Sequence, residues 1–527
     1  MAESTAHTDV LIVGAGPSGL VLASILAAHG VDFRIVDRKP GPIRQSRAAI
    51  VHVRTLELLD LLGLADEAIA QGRKITRMEI CQSGRKAASF PLAGRGLAAR
   101  TPFPFALALE QDHTEALLLR GLAGYGRTVE WNTDMVSMTH TPSGAQVTLG
   151  GAGGAHTVSA RWVVGADGAH SAVRAALGLE FTGSTYQQTG LLADVDLDLA
   201  PESPLADGTI RLNLTRGGSV GMLRLSDGRY RLFGAVPPEL APTDHRTYAT
   251  HEAYSQVSVP DIQAWFTDYF GVDARVEDAE WTALFRMHSR IAAHFRVGDV
   301  FLIGDAAHIH SPAGGQGMNL GIGDAVNLGW KLALTAHGLA RPALLESYHT
   351  ERAPIARKIL RGADRGFVFE TMRHPLADWI RAHLTPALRL IDHVSPLRAA
   401  VFGLFSQTWI NYRDSPAVAG TARSGLRPGD RVPDRTGGLG HQLLVFDDRD
   451  ALARRADIDA LLARYAVLIP VRTVPAPERA RYGVRRSQLL LIRPDGHCGY
   501  LGAADDLDGL DAYLDRFYTP CRSADRG

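Results

Sequence analysis

The chain has 527 residues and a mass of 56.8 kDa, which is enough for roughly two to four domains with large buried cores. Lysine plus arginine equals aspartate plus glutamate at 56 each, so no net field attracts nucleic acid or an anionic membrane surface. Three scattered cysteines without C-x-x-C spacing argue against a disulfide framework and a zinc site, and favour a reducing compartment. Because the N-terminus has no secretory pattern and no apolar run approaches about 18 residues, we expect a cytoplasmic protein that does not span a membrane.

Residues 9–37 have the pattern of a strand, a glycine turn, a helix and a second strand. Gly14 permits a tight turn, Gly16 lets a pyrophosphate approach the backbone, and Gly19 allows the helix to pack closely on the sheet. Asp37 closes the second strand 18 residues after Gly19, an offset that suits an acid on ribose hydroxyls. The unit predicts a dinucleotide site but does not distinguish FAD from NAD. The predicted site comprises Gly14, Gly16, Pro17, Ser18, Gly19, Asp37 and Arg38.

Two polar segments follow the second strand. In residues 44–54, RQSRAAIVHVR, Arg44 and Arg54 are interpreted as solvated surface residues and His52 as a structural residue. In residues 107–119, a strand end leads into a helix that begins near Gln111, whose side chain is either an exposed loop residue or a ligand contact.

Residues 161–174, RWVVGADGAHSAVR, predict a buried strand that ends at Asp167, followed by a helix start with Ser171 and Arg174. An acid, a hydroxyl and a guanidinium therefore gather at one strand end. A structural turn in which Asp167 caps the helix is the alternative interpretation.

Between about residues 185 and 297, apolar and polar residues alternate between Gly, Asp and Pro turns. This period-2 pattern predicts a mostly antiparallel sheet with one face covered. Met222, Leu223, Leu232 and Phe233 lie in these strands, as pocket residues or as plain core.

Residues 300–331 predict a short buried strand, the pair Gly304-Asp305, a Pro/Gly loop and an amphipathic helix. An acid at the carboxyl end of a strand points into a cleft, where it can accept hydrogen bonds from ligand hydroxyls. Gly314, Gly315 and Gly317 let the backbone and the helix start approach a flat anionic ligand, such as the edge of a reduced flavin. A plain strand, turn and helix is the alternative.

Together and in this order, the segments at 9–37, 161–174 and 300–331 resemble the flavin-binding signature of the FAD-dependent aromatic hydroxylases. These are single-component monooxygenases that include phenol hydroxylases and aromatic polyketide hydroxylases. The resemblance implies that Asp305 holds the ribityl chain, that Pro312 packs beside the isoalloxazine, and that backbone N–H groups from Gly315 to Asn319 face its pyrimidine edge. It also implies cofactor-binding roles for further residues: Arg47, Gln111, Asp167, Gly304, Gly317 and Met318.

The tail after residue 425 resembles the thioredoxin-like appendage of phenol-hydroxylase-type members but has no C-x-x-C, so we expect packing or homodimer formation there rather than redox chemistry. The expected fold class is α/β, with a Rossmann-type FAD-binding domain interleaved with a mainly antiparallel β-sheet substrate domain and a C-terminal thioredoxin-like domain. The expected ranges are 1–184 and 298–345 for FAD binding, 185–297 for the substrate sheet, 346–424 for a helical segment and 425–527 for the last domain. Within the helical segment, Tyr348 and Arg352 should share one helix face.

The resemblance implies an FAD- and NAD(P)H-dependent monooxygenase that hydroxylates a phenolic or polycyclic polyketide ring through a flavin C4a-hydroperoxide. Its partners would be a small aromatic molecule and O₂. The single complete Rossmann fingerprint fits a nicotinamide cofactor that visits transiently. Baeyer–Villiger oxygen insertion, halogenation and a non-catalytic flavoprotein that binds a product are the alternatives. No residue identifies itself as a catalytic base, and no metal site is expected.

Overall fold

The computed structural model describes the following ranges: 6–43, 47–82, 85–92, 101–199, 207–215, 218–236, 257–270, 273–310, 314–371, 402–403, 406–421, 425–433, 438–446, 451–484 and 486–521. The predicted cofactor residue Pro312 lies outside these ranges, as do Arg44 and all of residues 372–401. Across the described part of the chain, no helix is both long enough and apolar enough to cross a membrane.

The strands within the described ranges are numbered in chain order: β1 (Ala6–Val13), β2 (Phe33–Asp37), β3 (Ile50–Val51), β4 (Arg73–Ile75), β5 (Arg77–Gln82), β6 (Arg85–Pro91), β7 (Ala106–Ala108), β8 (Glu130–Trp131), β9 (Asp134–Thr141), β10 (Gly144–Gly151), β11 (Gly154–Gly165), β12 (Phe181–Leu199), β13 (Thr209–Thr215), β14 (Gly218–Arg224), β15 (Tyr230–Ala235), β16 (Ala274–Ala292), β17 (Arg296–Val297), β18 (Val300–Leu302), β19 (His308–Ile309), β20 (Ala419–Gly420), β21 (Gln442–Phe446), β22 (Val471–Thr473), β23 (Gln488–Ile492) and β24 (Cys498–Ala503).

The described α-helices are numbered in the same way: α1 (Pro17–Ala28), α2 (Val53–Leu61), α3 (Ala65–Gln71), α4 (Gln111–Gly124), α5 (Ala172–Ala176), α6 (Val259–Phe270), α7 (Gly317–Ala336), α8 (Ala343–Thr371), α9 (Ala451–Leu462), α10 (Arg479–Tyr482) and α11 (Leu507–Phe517). Short 3-10 turns lie at Gly304–Ala306 and Ala476–Glu478.

The first sheet has the order β17-β18-β11-β1-β2-β8, with β10 and β9 added beside β11. Strands β1, β2, β8, β11 and β18 run parallel. Residues Val10 to Val13 of β1 are buried, as expected for a parallel strand covered on both faces. The β1–α1–β2 unit therefore forms the predicted Rossmann-type core, and the carboxyl ends of β1, β11 and β18 lie side by side.

The second sheet has the order β19-β16-β12-β15-β14-β13-β5-β6 and is antiparallel except where β5 meets β13. Helix α6 covers one face with Trp265, Phe266 and Phe270. This is the predicted antiparallel sheet with one covered face. Strands β5 and β6 come from residues 77–91, inside the range assigned to the FAD-binding domain, and the domain boundaries themselves stay predictions.

The C-terminal sheet has the order β20-β24-β23-β21-β22. Strand β21 is parallel to β22 and antiparallel to β23, which is antiparallel to β24. Helix α9 joins β21 to β22, and α11 follows β24, so these four strands have the thioredoxin-like order. Cys81, Cys498 and Cys521 are all free thiols.

His441 lies buried where this domain meets helix α7. Its Nε2 is 2.6 Å from the Tyr518 hydroxyl, and its ring packs edge-on against Trp330 at 5.5 Å. Burial, with Arg493 nearby, lowers the pKa of His441 to about 3. Between this value and the ordinary pKa of about 6.5, the unfolded chain takes up a proton that the folded chain does not.

Stability should therefore fall as the pH is lowered from 6.5, and His441 alone should cost about 2 kcal/mol of unfolding free energy by about pH 5. Denaturant titrations at pH 7 and pH 5 measure this loss. In His441→Gln the loss should shrink by about that amount, whereas the exposed His140→Gln should behave as wild type. An unchanged pH dependence in His441→Gln would contradict the assignment.

Candidate functional site

The turn between β1 and α1 requires glycine at positions 14 and 19 and has open space beside Gly16. Gly14 has φ +108°, and a Cβ there would lie 2.3 Å from the carbonyl oxygen of Ala166. A Cβ on Gly19 would lie 2.0 Å from the carbonyl oxygen of Gly14, whereas one on Gly16 would meet nothing within 4 Å. Gly14 and Gly19 thus permit close backbone packing, and Gly16 leaves the space that a pyrophosphate needs. Pro17 begins α1.

Asp37 ends β2 beside this turn and is buried. Its Oδ2 accepts from the Ala15 N–H at 2.7 Å, and its Oδ1 accepts from the Lys39 N–H at 2.8 Å. Each oxygen keeps a further lone pair for a ribose hydroxyl. The next residue, Arg38, is exposed at the strand end.

Asp167 turns its side chain toward helix α5. Its carboxylate accepts from the Ser171 hydroxyl at 2.5 Å and from the backbone N–H groups of Ala172 and Val173. Burial raises the pKa of Asp167, although these hydrogen bonds oppose the rise. The side-chain contacts of Asp167 thus agree with the interpretation of this residue as a helix cap. Its backbone nitrogen lies against Gly14 of the dinucleotide turn. A cofactor role for Asp167 stays a prediction.

Arg174 is also held within the protein. It is buried, and its guanidinium donates to the carbonyl oxygens of Ala306 at 2.8 Å and Ala169 at 2.7 Å. It also stacks over the Phe181 ring at 3.8 Å. Arg174 therefore ties the end of β11 to the Gly304–Ala306 turn.

That turn brings the nucleotide end of the site against the predicted flavin end. Gly304 has φ +58°, and a Cβ there would lie 2.7 Å from Ser18 Oγ. A Cβ on Gly321, one turn inside α7, would lie 2.4 Å from the same oxygen. Ser18, Gly304 and Gly321 are thus in contact, so three separated segments of the chain meet at one place.

Asp305 lies at the carboxyl end of β18 with an exposed side chain. The surrounding protein nevertheless raises the pKa of its carboxyl by desolvation, while His308 and Arg47 lower it and Asp324 raises it further. The Asp305 carboxylate is thus accessible to a ligand although protein atoms crowd around it. The predicted residues Arg47 and Asp305 are thus electrostatic neighbours, and Arg47 itself is exposed.

The glycine loop before α7 is fixed by His52 and Asn319. The Nε2 of His52 is 3.1 Å from the carbonyl oxygens of both Gly314 and Gly315. The Asn319 amide donates to the Gly315 and Ile50 carbonyl oxygens, and its Oδ1 accepts from the His52 N–H at 2.8 Å. The interpretation of His52 as structural agrees with these contacts.

Helix α7 begins at Gly317, and the first-turn N–H groups of Gly317, Met318 and Asn319 have no acceptor within the helix. The half-buried Met318 packs against the main core. Gln111 begins α4, where its Nε2 donates to Glu115 at 3.0 Å and its Oε1 accepts from the Ala48 N–H at 3.4 Å. Gln111 is thus bound to the 47–50 segment that carries Arg47.

A buried ionic chain under the Gly304–Ala306 turn was missed by the sequence analysis. Asp324 accepts from Arg352 Nε at 2.7 Å and the Gly304 N–H at 3.1 Å, and lies 2.6 Å from His308 Nε2. Although burial opposes ionisation, Arg352 and His308 lower the pKa of Asp324. The sequence did offer one sign of this cluster, since Asp324 is a carboxylate within the apolar stretch of α7. Tyr348 and Arg352 share a face of α8 as expected, and the Tyr348 hydroxyl donates to the Leu302 carbonyl oxygen.

The interpretation of Arg54 as a solvated surface residue is wrong. Arg54 is 7% exposed, pairs with Glu57 at 2.8 Å, and donates to the Asp495 carbonyl oxygen at 2.5 Å. The partner from the C-terminal domain is 441 residues away in the chain, so no local pattern could reveal it.

The two faces of the second sheet separate the four apolar residues named from the sequence. Met222 and Leu232 are buried under α6. Leu223 and Phe233 point to the opposite face, where they cluster with Ile50 beside the glycine loop. Phe233 is only half-buried. The side of the sheet toward the cleft is therefore apolar and partly open.

Comparison with known proteins agrees with this arrangement. Residues 7–363 match the family model described as an FAD binding domain. The 6-methylpretetramide 4-monooxygenase of Streptomyces rimosus is 33% identical, over 96% of this chain and 93% of that protein. The pentachlorophenol 4-monooxygenase of Sphingobium chlorophenolicum is 31% identical, over 84% of this chain and 78% of that protein. The solved structure of OxyS anhydrotetracycline hydroxylase from Streptomyces rimosus has a TM-score of 0.73 at 28% identity, covering 98% of this chain and 100% of that one.

Proposed function

The chain belongs to the family of FAD-dependent aromatic hydroxylases, and from this premise we propose that it hydroxylates a phenolic or polycyclic polyketide ring, with FAD as cofactor and NAD(P)H as reductant. The observation that carries the proposal is the contact of Ser18 with Gly304 and Gly321. This contact supports a single site that runs from the dinucleotide turn past the acid at the end of β18 to the start of α7.

The residues present fit FAD along its length. The open side of Gly16 and the N-terminus of α1 suit the pyrophosphate, and Asp37 suits the adenosine ribose. The exposed Asp305 carboxylate suits the ribityl hydroxyls, because an ionised acid accepts strong hydrogen bonds. Arg47 adds positive charge near Asp305, which suits the flavin phosphates.

Bound FAD would supply the redox chemistry, with electrons from NAD(P)H, so that one oxygen atom of O₂ enters the ring and the other leaves as water. The protein's part is to bind, orient and stabilise charge. The first-turn N–H groups of α7 and the positive end of that helix favour negative charge on the pyrimidine edge of a reduced flavin. His52 and Asn319 hold the loop that aims these groups.

The substrate class follows from the open face of the second sheet and from the relatives. Leu223 and Phe233, with Ile50 beside the glycine loop, offer an apolar wall for a flat ring system. The relatives are named for pretetramide, pentachlorophenol and anhydrotetracycline, which are all aromatic. We therefore expect a phenol, an anthraquinone or a polycyclic polyketide.

A screen of NAD(P)H oxidation against these three compound classes tests the proposal. The expected result is ligand-stimulated oxidation and a product heavier by one oxygen atom, with its ring bonds intact by NMR. A lactone or opened ring would indicate Baeyer–Villiger insertion instead. Purified protein that neither contains nor binds FAD would contradict every function that depends on flavin.

A further inference from the structure

One tight turn of the C-terminal domain enters the core of the rest of the protein. It spans residues 493–497 between β23 and β24, and is closed by the Arg493 N–H donating to the His497 carbonyl oxygen at 2.8 Å. Arg493, Asp495 and His497 are each at most 2% exposed. We call these five residues the RPDGH turn. Burying so many charged groups is costly unless they are paired, so their partners matter.

The RPDGH turn contacts three helices, α2, α7 and α8, of which α7 begins with predicted flavin-site residues. Arg493 makes a bidentate pair with Glu351 of α8 at 2.6 and 2.8 Å. The Asp495 carboxylate accepts from Asn327 of α7 at 3.3 Å, and its carbonyl oxygen accepts from Arg54 of α2. Helix α7 begins at the glycine loop, and α2 begins beside His52, so both helices lead directly into the site.

Tyr412 continues these contacts toward Asp305. Its ring lies 4.3 Å from the His497 ring, and its backbone N–H donates to the Gly429 carbonyl oxygen at 2.8 Å. Its hydroxyl accepts from Arg352 Nη1 at 3.0 Å. Tyr412 is therefore packed against the C-terminal domain on one side and bonded to α8 on the other.

From Arg352 the series reaches the turn that presents Asp305. Arg352 Nε donates to Asp324 Oδ1, and Asp324 Oδ2 accepts the Gly304 N–H. Arg352 and Asp324 are at most 1% exposed, so the loss of a hydrogen-bond partner leaves a buried charged group less well satisfied. If the Tyr412 hydroxyl is removed, one buried guanidinium N–H of Arg352 loses its acceptor. The shift that restores a partner must then pass to Asp324 and Gly304.

We propose that the C-terminal domain positions FAD, with the RPDGH turn and Tyr412 holding Arg352 and Asp324 so that the Gly304-Asp305 pair meets the ribityl chain. The domain then contributes to the cofactor site through Tyr412, Arg352 and Asp324. This inference rests on the proposed FAD site. Tyr412 is a positioning residue, since it acts only through Arg352 and Asp324.

The test compares Tyr412→Phe with Tyr465→Phe. Tyr465 is a matched control because it is an equally buried tyrosine, it lies in the C-terminal domain, and its hydroxyl donates to Asp511 at 2.6 Å, away from Tyr412 and its partners. We expect Tyr412→Phe to weaken FAD binding about five- to tenfold and to shift the visible absorption bands of bound FAD. Tyr465→Phe should leave both unchanged, even where the two variants lower the unfolding midpoint of the FAD-free protein equally. Wild-type binding in Tyr412→Phe, or equal weakening in Tyr465→Phe, would overturn the inference.

A second background shows whether the effect passes through Asp305. In Asp305→Ala, the added effect of Tyr412→Phe on the FAD dissociation constant should shrink to less than about twofold, because coupled residues are not additive. A full five- to tenfold effect in that background would also overturn the inference. Failure of the wild-type chain to bind FAD would instead overturn the proposed function, so the two failures are distinguishable.

Discussion

Replacing Asp305 with alanine should weaken FAD binding by about 1.5–3 kcal/mol, which is roughly 10- to 150-fold in dissociation constant. The carboxylate is exposed at the end of β18, so a ligand can reach it, and hydrogen bonds to an ionised acceptor are stronger than neutral ones. Equilibrium dialysis or flavin fluorescence measures the change. Asp134→Ala, an exposed acid on β9 of the same sheet, is the control and should bind FAD as wild type.

The pH dependence gives this prediction a second readout. Desolvation raises the pKa of Asp305, so the FAD-free carboxyl is protonated at a higher pH than an ordinary aspartate. Once protonated, it accepts fewer hydrogen bonds. The advantage of wild type over Asp305→Asn in FAD binding should therefore be present above that raised pKa and should decline as the pH falls through it. Unchanged FAD retention in Asp305→Ala would refute the assigned role.

Glu351→Gln should lower the free energy of unfolding by about 3–5 kcal/mol. The Glu351 carboxylate is buried and accepts from Lys331, Arg493, Asn327 and Ser415 at 2.6–2.8 Å. A neutral amide at position 351 would no longer neutralise the buried cations of Lys331 and Arg493. Burial already lowers the pKa of Lys331 to about 8, and loss of Glu351 should lower it further.

Denaturant titration of Glu351→Gln beside Glu67→Gln measures this difference. Glu67 pairs with Arg120 at 2.7 Å, but both side chains are about half exposed, so its loss should cost less than about 1 kcal/mol. Adding Lys331→Met to Glu351→Gln should recover part of the loss, because the uncompensated cation is then gone. Similar losses in the two single variants would show that the buried cluster contributes no more than a surface pair.

The sequence predicted what local patterns encode. A short motif expresses the close backbone packing at Gly14 and Gly19 and the open space at Gly16, and alternation along residues 185–297 indicated an antiparallel sheet. The same alternation could not assign sides, so whether Leu223 or Met222 faced the cleft had to come from the structure. The Rossmann-type core could be predicted from the local pattern of β1, α1 and β2 alone.

The buried charges were not predictable in this way. Asp324, Arg352 and Asp495 find their partners across long stretches of chain, and their residue types alone suggest a solvated surface. Arg54 was misinterpreted for that reason. Asp167 shows the converse case, since its side-chain contacts follow from a local capping pattern while its predicted role toward a ligand does not.

The contact of Ser18 with Gly304 and Gly321 also has a consequence for ligand length. Among the described residues, only backbone atoms and the Ser18 hydroxyl fill the junction at Gly304 and Gly321. No long side chain from this part of the protein lies there whose rearrangement could change the distance between the proposed adenosine and ring subsites. A mononucleotide such as FMN or AMP would occupy only one of the two subsites. It should therefore bind more weakly than FAD, in which both binding groups belong to one molecule. The proposed site should therefore select for ligand length, in addition to the contacts expected at the pyrophosphate and the ribityl chain.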